Sequence, residues 1–244
     1  MARAAGSQAV ALDMYITEKF KRPSPTVPDL RGFSPQNAAE AVRAQWGLGY
    51  RPIPNLVHLL EKNGVRVYSL VHEGGEIDGF STWQGNFPFI FLNTTKTAER
   101  SRMDAAHELA HLVLHHYLRG PAGRAEEEEA RLFASCFLMP GPAFIATAPR
   151  RITLPAILDA KRQWGVSALA YLHRLYGLGR LSEWQYRSLN IQVKSGVSAL
   201  RARGDYGAGV IPGLGKGSSQ RGSRYKPEGD GKASSHPTGG PRSK

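Results

Sequence analysis

Between positions 34 and 62 the apolar residues recur at helical spacing. Ala38, Ala41, Val42 and Trp46 follow a Ser34-Pro35 start, a pairing of N-cap and first-turn proline, and the stripe ends near Gly47. A second stripe, Leu56, Leu59 and Leu60, runs into Asn63-Gly64, which supplies a left-handed stop. The period then shortens to two. Val65, Val67 and the Ser69–Val71 segment alternate as a strand, and Gly79–Gln84 and Phe87–Asn93 read as two more, joined by Gly85-Asn86 in a tight hairpin. This pattern predicts a small three-stranded antiparallel sheet whose last strand, Phe87–Asn93, offers a free edge. Helical spacing returns at Thr97, an N-cap with Glu99 in the first turn, and is expected to continue to about Leu118 before Gly120-Pro121. Further helices are predicted over 124–138, 154–164, 167–176 and 182–193. Helices around one compact sheet define an α+β domain over residues 35–193.

The flanks read differently. Residues 1–34 form a leader with one short amphipathic stretch, Leu12, Tyr15, Ile16, Lys19 and Phe20, followed by Pro23, Pro25 and Pro28, which keep the backbone extended. Residues 194–244 form a basic tail. From Ser195 onward nine Lys or Arg stand against three Asp or Glu, so this segment carries +6 of the formal +12, together with 12 of the 27 glycines. Few large apolar residues remain there to offset the entropy of ordering, and disorder is expected. Such a tail can touch nucleic-acid phosphates weakly and without sequence preference. The body is only mildly basic, so the net charge does not by itself make the protein a nucleic-acid binder.

One cysteine, Cys136, excludes an internal disulfide in this chain of 244 residues, and no charged-then-apolar signal segment opens it; a reducing, cytoplasmic setting is expected. Apolar stretches such as 87–92 fall far short of the roughly 20 residues needed to span a membrane, so no membrane partner is expected.

The chemistry concentrates in the helix predicted from Thr97. His107-Glu108-Leu109-Ala110-His111 spells H-E-x-x-H, in which the histidines at i and i+4 share one face and can both reach a single zinc ion. Glu108 lies beside that face, placed to hold a water and act as general base. A catalytic zinc needs a third protein ligand. His115 is too far, since eight residues span about 12 Å along one straight helix. The next helix offers Glu126, Glu127, Glu128 and Glu129, any of which could supply a carboxylate across the contact. Asp104, three residues before His107, either orients that imidazole or is an exposed acid near the helix start. His115 and His116 read as helix-terminal histidines, Cys136 as a small buried hydrophobe, and Trp83, Phe87, Phe89 and Phe91 as core.

These residues resemble the ImmA/IrrE metallopeptidases, whose pattern is a helical H-E-L-x-H, then E-x-x-A-N-x-F-A and a hydrophobic L-L-M-P-like end. Here the matching segments are His107–His111, the run from Glu127 through Ala130 to Phe133-Ala134, and Phe137-Leu138-Met139-Pro140. The resemblance covers roughly residues 36–193. It implies a zincin-like fold, zinc as cofactor, His107, His111 and Glu127 as ligands with Glu129 in reserve, and Glu108 as the catalytic residue. It further implies a protein substrate, an XRE-type helix-turn-helix repressor cleaved in regulated proteolysis for stress response or mobile-element transfer. Two departures stand out. Arg131 occupies a position where the pattern has Asn or Asp, and arginine cannot accept a hydrogen bond. The amino end lacks the helix-turn-helix domain that many relatives carry, so sequence-specific DNA binding is not expected. The competing reading is a zinc-binding regulatory or toxin-like module that binds a partner without cutting it.

Overall fold

The computed structural model describes residues 13, 15, 19–70, 79–93, 95–116 and 122–202. Most of the amphipathic stretch expected near Leu12 and the tail beyond position 202 lie outside them. Among the described residues eight helices surround one sheet. In chain order they run α1 (Pro35–Gln45), α2 (Leu56–Lys62), β1 (Arg66–Leu70), β2 (Gly79–Gln84), β3 (Phe87–Asn93), α3 (Ala98–Leu114), α4 (Arg124–Leu138), α5 (Gly141–Thr147), α6 (Leu154–Trp164), α7 (Ala168–Gly177) and α8 (Glu183–Ala202).

The helix starts follow local capping chemistry. Ser34, Asn55, Thr97, Thr153 and Ser167 each turn a side-chain oxygen onto a backbone N–H of the first turn, which would otherwise lack an intrahelical partner. At α8 the capping is reciprocal, with Ser182 N–H donating to Gln185 Oε1 and Gln185 N–H to Ser182 Oγ. That helix runs through Ala202, past the boundary expected at 193. No single described helix is long and apolar enough to cross a membrane.

The sheet is mixed, not antiparallel throughout. Its order is β1-β3-β2, with β1 parallel and β2 antiparallel to β3. The Gly85-Asn86 turn, with Gly85 at φ +57°, folds β2 back onto β3 as the hairpin signal requires. Strand β1 reaches β3 on the opposite side, so β3 is central and is not a free edge. Burial explains the choice: β3 is apolar on both faces, with Ile90 and Leu92 in the helix-facing core and Phe89 and Phe91 in a second cluster with Tyr68 and Phe80. Among the described residues β1 and β2 are the two outer strands, and of these β2 packs against α3.

The described part of the leader is docked. Thr26 N–H donates to Asn63 O and Leu30 N–H to Val113 O, both at 3.0 Å, while Asp13 bonds Arg22 and accepts from Tyr68 Oη at 2.8 Å. Helix α3 ends at Leu114, four residues short of expectation. Tertiary donors take its last carbonyls: Leu30 N–H reaches Val113 O, and Trp83 Nε1 donates to Leu112 O at 3.2 Å while stacking on His116. Helix α5, unanticipated in the sequence, is under two turns long and anchors Phe144 between Trp164 and Tyr171.

The main core joins α1, α3 and α4 to the sheet. Its contact surfaces are small: Ala38 and Ala39 on α1, Ala105, Ala106 and Ala110 on α3, and Ala130 and Ala134 on α4 are all buried. Alanines let helix axes approach closely. Buried Arg43 fastens the arrangement, donating Nε to Gly49 O at 2.7 Å, Nη1 to Phe137 O and Nη2 to Arg51 O, both at 2.5 Å, which ties α1 to the end of α4.

At Gly64, φ is +81° and a Cβ would come within 2.5 Å of the Pro25 backbone. Gly64→Ala is therefore expected to cost roughly 1–3 kcal/mol, through left-handed strain and displacement of the leader. The midpoint of denaturant unfolding measures it, and an unchanged midpoint contradicts the close approach.

Candidate metal centre

Helices α3 and α4 bring three of the expected side chains to one point. His107 and His111, one turn apart on α3, hold their Nε2 atoms 3.1 Å from each other. Glu127, in the first turn of α4, places Oε2 3.3 Å from His107 Nε2 and Oε1 3.6 Å from His111 Nε2. Donors about 2.0–2.1 Å from a tetrahedral ion lie about 3.3–3.4 Å from one another. The three measured distances bracket that value, although the two carboxylate distances run to different oxygens, and one donor atom from each residue lies within 4.8 Å of the others, so the set is compatible with a tetrahedral ion such as zinc; it is the cluster of metal-ligating side chains that converges among the described residues.

Burial keeps the imidazoles neutral and their lone pairs available. Removal from water, with His107 and His115 alongside, pulls His111 down to about 3. Burial likewise pulls His107 below its ordinary value, opposed by the Glu127 carboxylate. The remaining glutamates of the cluster go elsewhere. Glu128 accepts from Arg124 at 2.9 Å, and Glu129 Oε2 lies 2.9 Å from His115 Nε2, outside the triad. Asp104 pairs with Lys96 at 3.3 Å. Arg131, one turn beyond Glu127, sends Nη2 to within 3.5 Å of Glu127 Oε2. It is a donor where the family pattern has an acceptor, and it draws on the same carboxylate as the triad.

Glu108 lies between α3 and the sheet, 7% exposed, with Oε2 accepting from Ser81 Oγ of β2 at 2.8 Å. At Gly79 of the same strand a Cβ would come within 2.8 Å of Phe91 O and would fill the space 3.5 Å from Glu108 Oε1. Ser81 carries no motif that marks it in the sequence; only the pairing register that puts β2 against α3 reveals it. Burial pushes the Glu108 carboxyl up to about 7; the Ser81 hydroxyl works against this shift, while Glu127 and Asp104 add to it. A cleft of about 910 Å³ opens from Gly79, Glu108 and Glu127 past Arg131 along α4 toward Arg174 of α7. Cys136 packs at its far end, 3.2 Å from Arg174 Nη1.

Residues 60–176 match the family model Peptidase_M78, described as the IrrE N-terminal-like domain. Over that segment, just under half of the chain, the protein is similar to the ImmA/IrrE metallopeptidases. Among curated proteins none matches it.

The buried Glu108 carboxyl makes stability depend on pH in a defined direction. Because its folded value lies above its ordinary one, the contribution is present below about 4.5 and is lost as pH rises through about 7. Glu108→Gln is isosteric and can still accept from Ser81. The metal-free variant is expected to exceed the parent in stability by about 1–3 kcal/mol above pH 7 and to match it near pH 4. Thermal unfolding across that range measures the difference; a gain at pH 4 that does not grow with pH contradicts it.

Proposed function

We propose that the protein is a zinc-dependent endopeptidase that hydrolyses a peptide bond in an XRE-type helix-turn-helix repressor. The observation that carries this reading is the convergence of His107, His111 and Glu127 at tetrahedral ligand spacing, with the buried Glu108 carboxyl beside it. His107, His111 and Glu127 would hold the ion. When bound, zinc supplies a Lewis acid that acidifies water and polarises the scissile carbonyl.

The chain's own residues perform the proton transfers. Glu108, held at Oε2 by Ser81, keeps Oε1 on the side where Gly79 leaves space, and there it takes the proton of the attacking water. The same carboxyl then returns that proton to the leaving amine. In the metal-free protein burial raises this carboxyl, the direction that suits a group which must both accept and release a proton near neutrality. The substrate enters as an extended segment along the outer edge of β2, which adjoins Glu108 and lacks a strand partner among the described residues. This replaces the expectation that β3 offers the edge.

The repressor identity rests on the family resemblance, and the cytoplasm is its natural setting. The lone, buried, unpaired Cys136 accords with a reducing compartment. The Arg131 contact with Glu127 favours a second reading, in which weak zinc retention leaves a module that binds its partner without cutting.

Incubation of the zinc-loaded chain with XRE-type repressors encoded nearby separates the two. A discrete cleavage, mapped by mass spectrometry and abolished by 1,10-phenanthroline, is expected. Glu108→Gln is expected to retain zinc and to lower the cleavage rate by about 10²–10⁴. Partner binding without cleavage supports the second reading, and cleavage that survives in Glu108→Gln contradicts the assigned base.

A further inference from the structure

The triad uses one nitrogen of His111, and the other points into a chain of polar groups that the peptidase mechanism does not employ. His111 turns Nε2 toward His107 and Glu127. Its Nδ1 lies 3.0 Å from Nδ1 of His115, the C-cap residue of α3. His115 in turn holds Nε2 2.9 Å from Glu129 Oε2. The His115 side chain is 7% exposed, less than that of His111 at 16%, whereas Glu129 is half exposed, so the shielded middle link joins the triad to a carboxylate at the surface.

We propose that His115 and Glu129 are positioning residues that lock His111 in the tautomer protonated at Nδ1, leaving its Nε2 lone pair for the metal. The inference rests on the metal reading of the triad and extends it. Proton bookkeeping allows one arrangement. A neutral imidazole that binds a metal through Nε2 must carry its proton on Nδ1, and that N–H needs an acceptor. Nδ1 of His115 can accept only if its ring carries the proton on Nε2, and that N–H then needs an acceptor of its own. Glu129 Oε2 supplies it. The opposite tautomer of His111 would put a proton on the nitrogen facing Glu127, where a metal ligand cannot have one.

The geometry argues against a second metal cage here. His115 meets His111 through one ring nitrogen and Glu129 through the other, so the donors form a line instead of converging. It also differs from ordinary helix capping, because the His115 side chain reaches back to the preceding turn of its own helix and across to α4. A carboxylate that reaches the ligand through an intervening imidazole performs the task that a directly bonded carboxylate performs at many zinc sites: it fixes ring orientation and raises ligand basicity.

The test uses the full chain, with zinc affinity read by competition against a chromophoric chelator and the imidazole nitrogens followed by ¹⁵N-edited NMR. In the metal-free parent His111 is expected to carry its proton on Nδ1 and His115 on Nε2. His115→Phe is expected to weaken zinc binding roughly 10- to 100-fold and to release His111 into a mixture of tautomers. Glu129→Gln, at an exposed site that leaves folding intact, is expected to weaken binding in the same direction by a smaller factor. Zinc affinity within twofold of the parent in both variants overturns the proposal, as does a zinc-loaded spectrum in which His115 is itself a ligand. A parent chain that takes up no zinc brings down the metal reading itself, a failure distinct from intact zinc binding that ignores positions 115 and 129.

Discussion

The close packing of α3 against α4 is the constraint on which the centre depends. An imidazole and a glutamate together span only a short gap, so the two helices must meet over small residues. Ala106 and Ala110 on one and Ala130 and Ala134 on the other are buried in the same core as Phe133, Phe137, Leu109 and Leu112, and such small residues let helix axes approach closely. Arg43 fixes the far end of α4 by bonding Phe137 O.

The sheet contributes through β2. Its outer position places Ser81 and Gly79 against Glu108, one donating a hydrogen bond and the other leaving space. On the proposed reading Glu108 would be the base, held by the same strand along which an extended peptide would lie, and substrate placement would be coupled to the carboxyl that handles the proton. Burial supplies the electrostatics. It lowers the proton affinity of the imidazoles and raises that of Glu108, so the candidate ligands and the candidate base are shifted in opposite senses by burial.

Much of this was legible in the sequence because it is local. Caps at Ser34, Asn55 and Thr97, the Gly85-Asn86 hairpin and the i, i+4 histidine pair depend only on near neighbours. Strand direction does not: period-two alternation is common to parallel and antiparallel pairing, and the decisive clue was the nearly unbroken apolar run from Phe87 to Leu92, which marks a strand covered on both faces. Four consecutive glutamates could not be told apart by periodicity alone; family resemblance singled out Glu127, and the crossing of α3 and α4 brings that side chain to the two histidines while sending Glu129 to His115. Ser81 and the His115 contact with His111 follow from that same crossing and from the sheet register, which no local pattern encodes. The early end of α3 belongs with them, since its last carbonyls are taken by Leu30 and Trp83 from distant segments.

The central claim is that two imidazoles and one carboxylate close around a single ion. X-ray absorption at the zinc edge, on the purified chain loaded with one equivalent, tests it most directly. The account requires a light-atom first shell near 2.0–2.1 Å with the outer scattering of two imidazoles, and loss of a protein oxygen in Glu127→Ala. A sulfur in that shell, a third imidazole, or an identical spectrum in Glu127→Ala would contradict it.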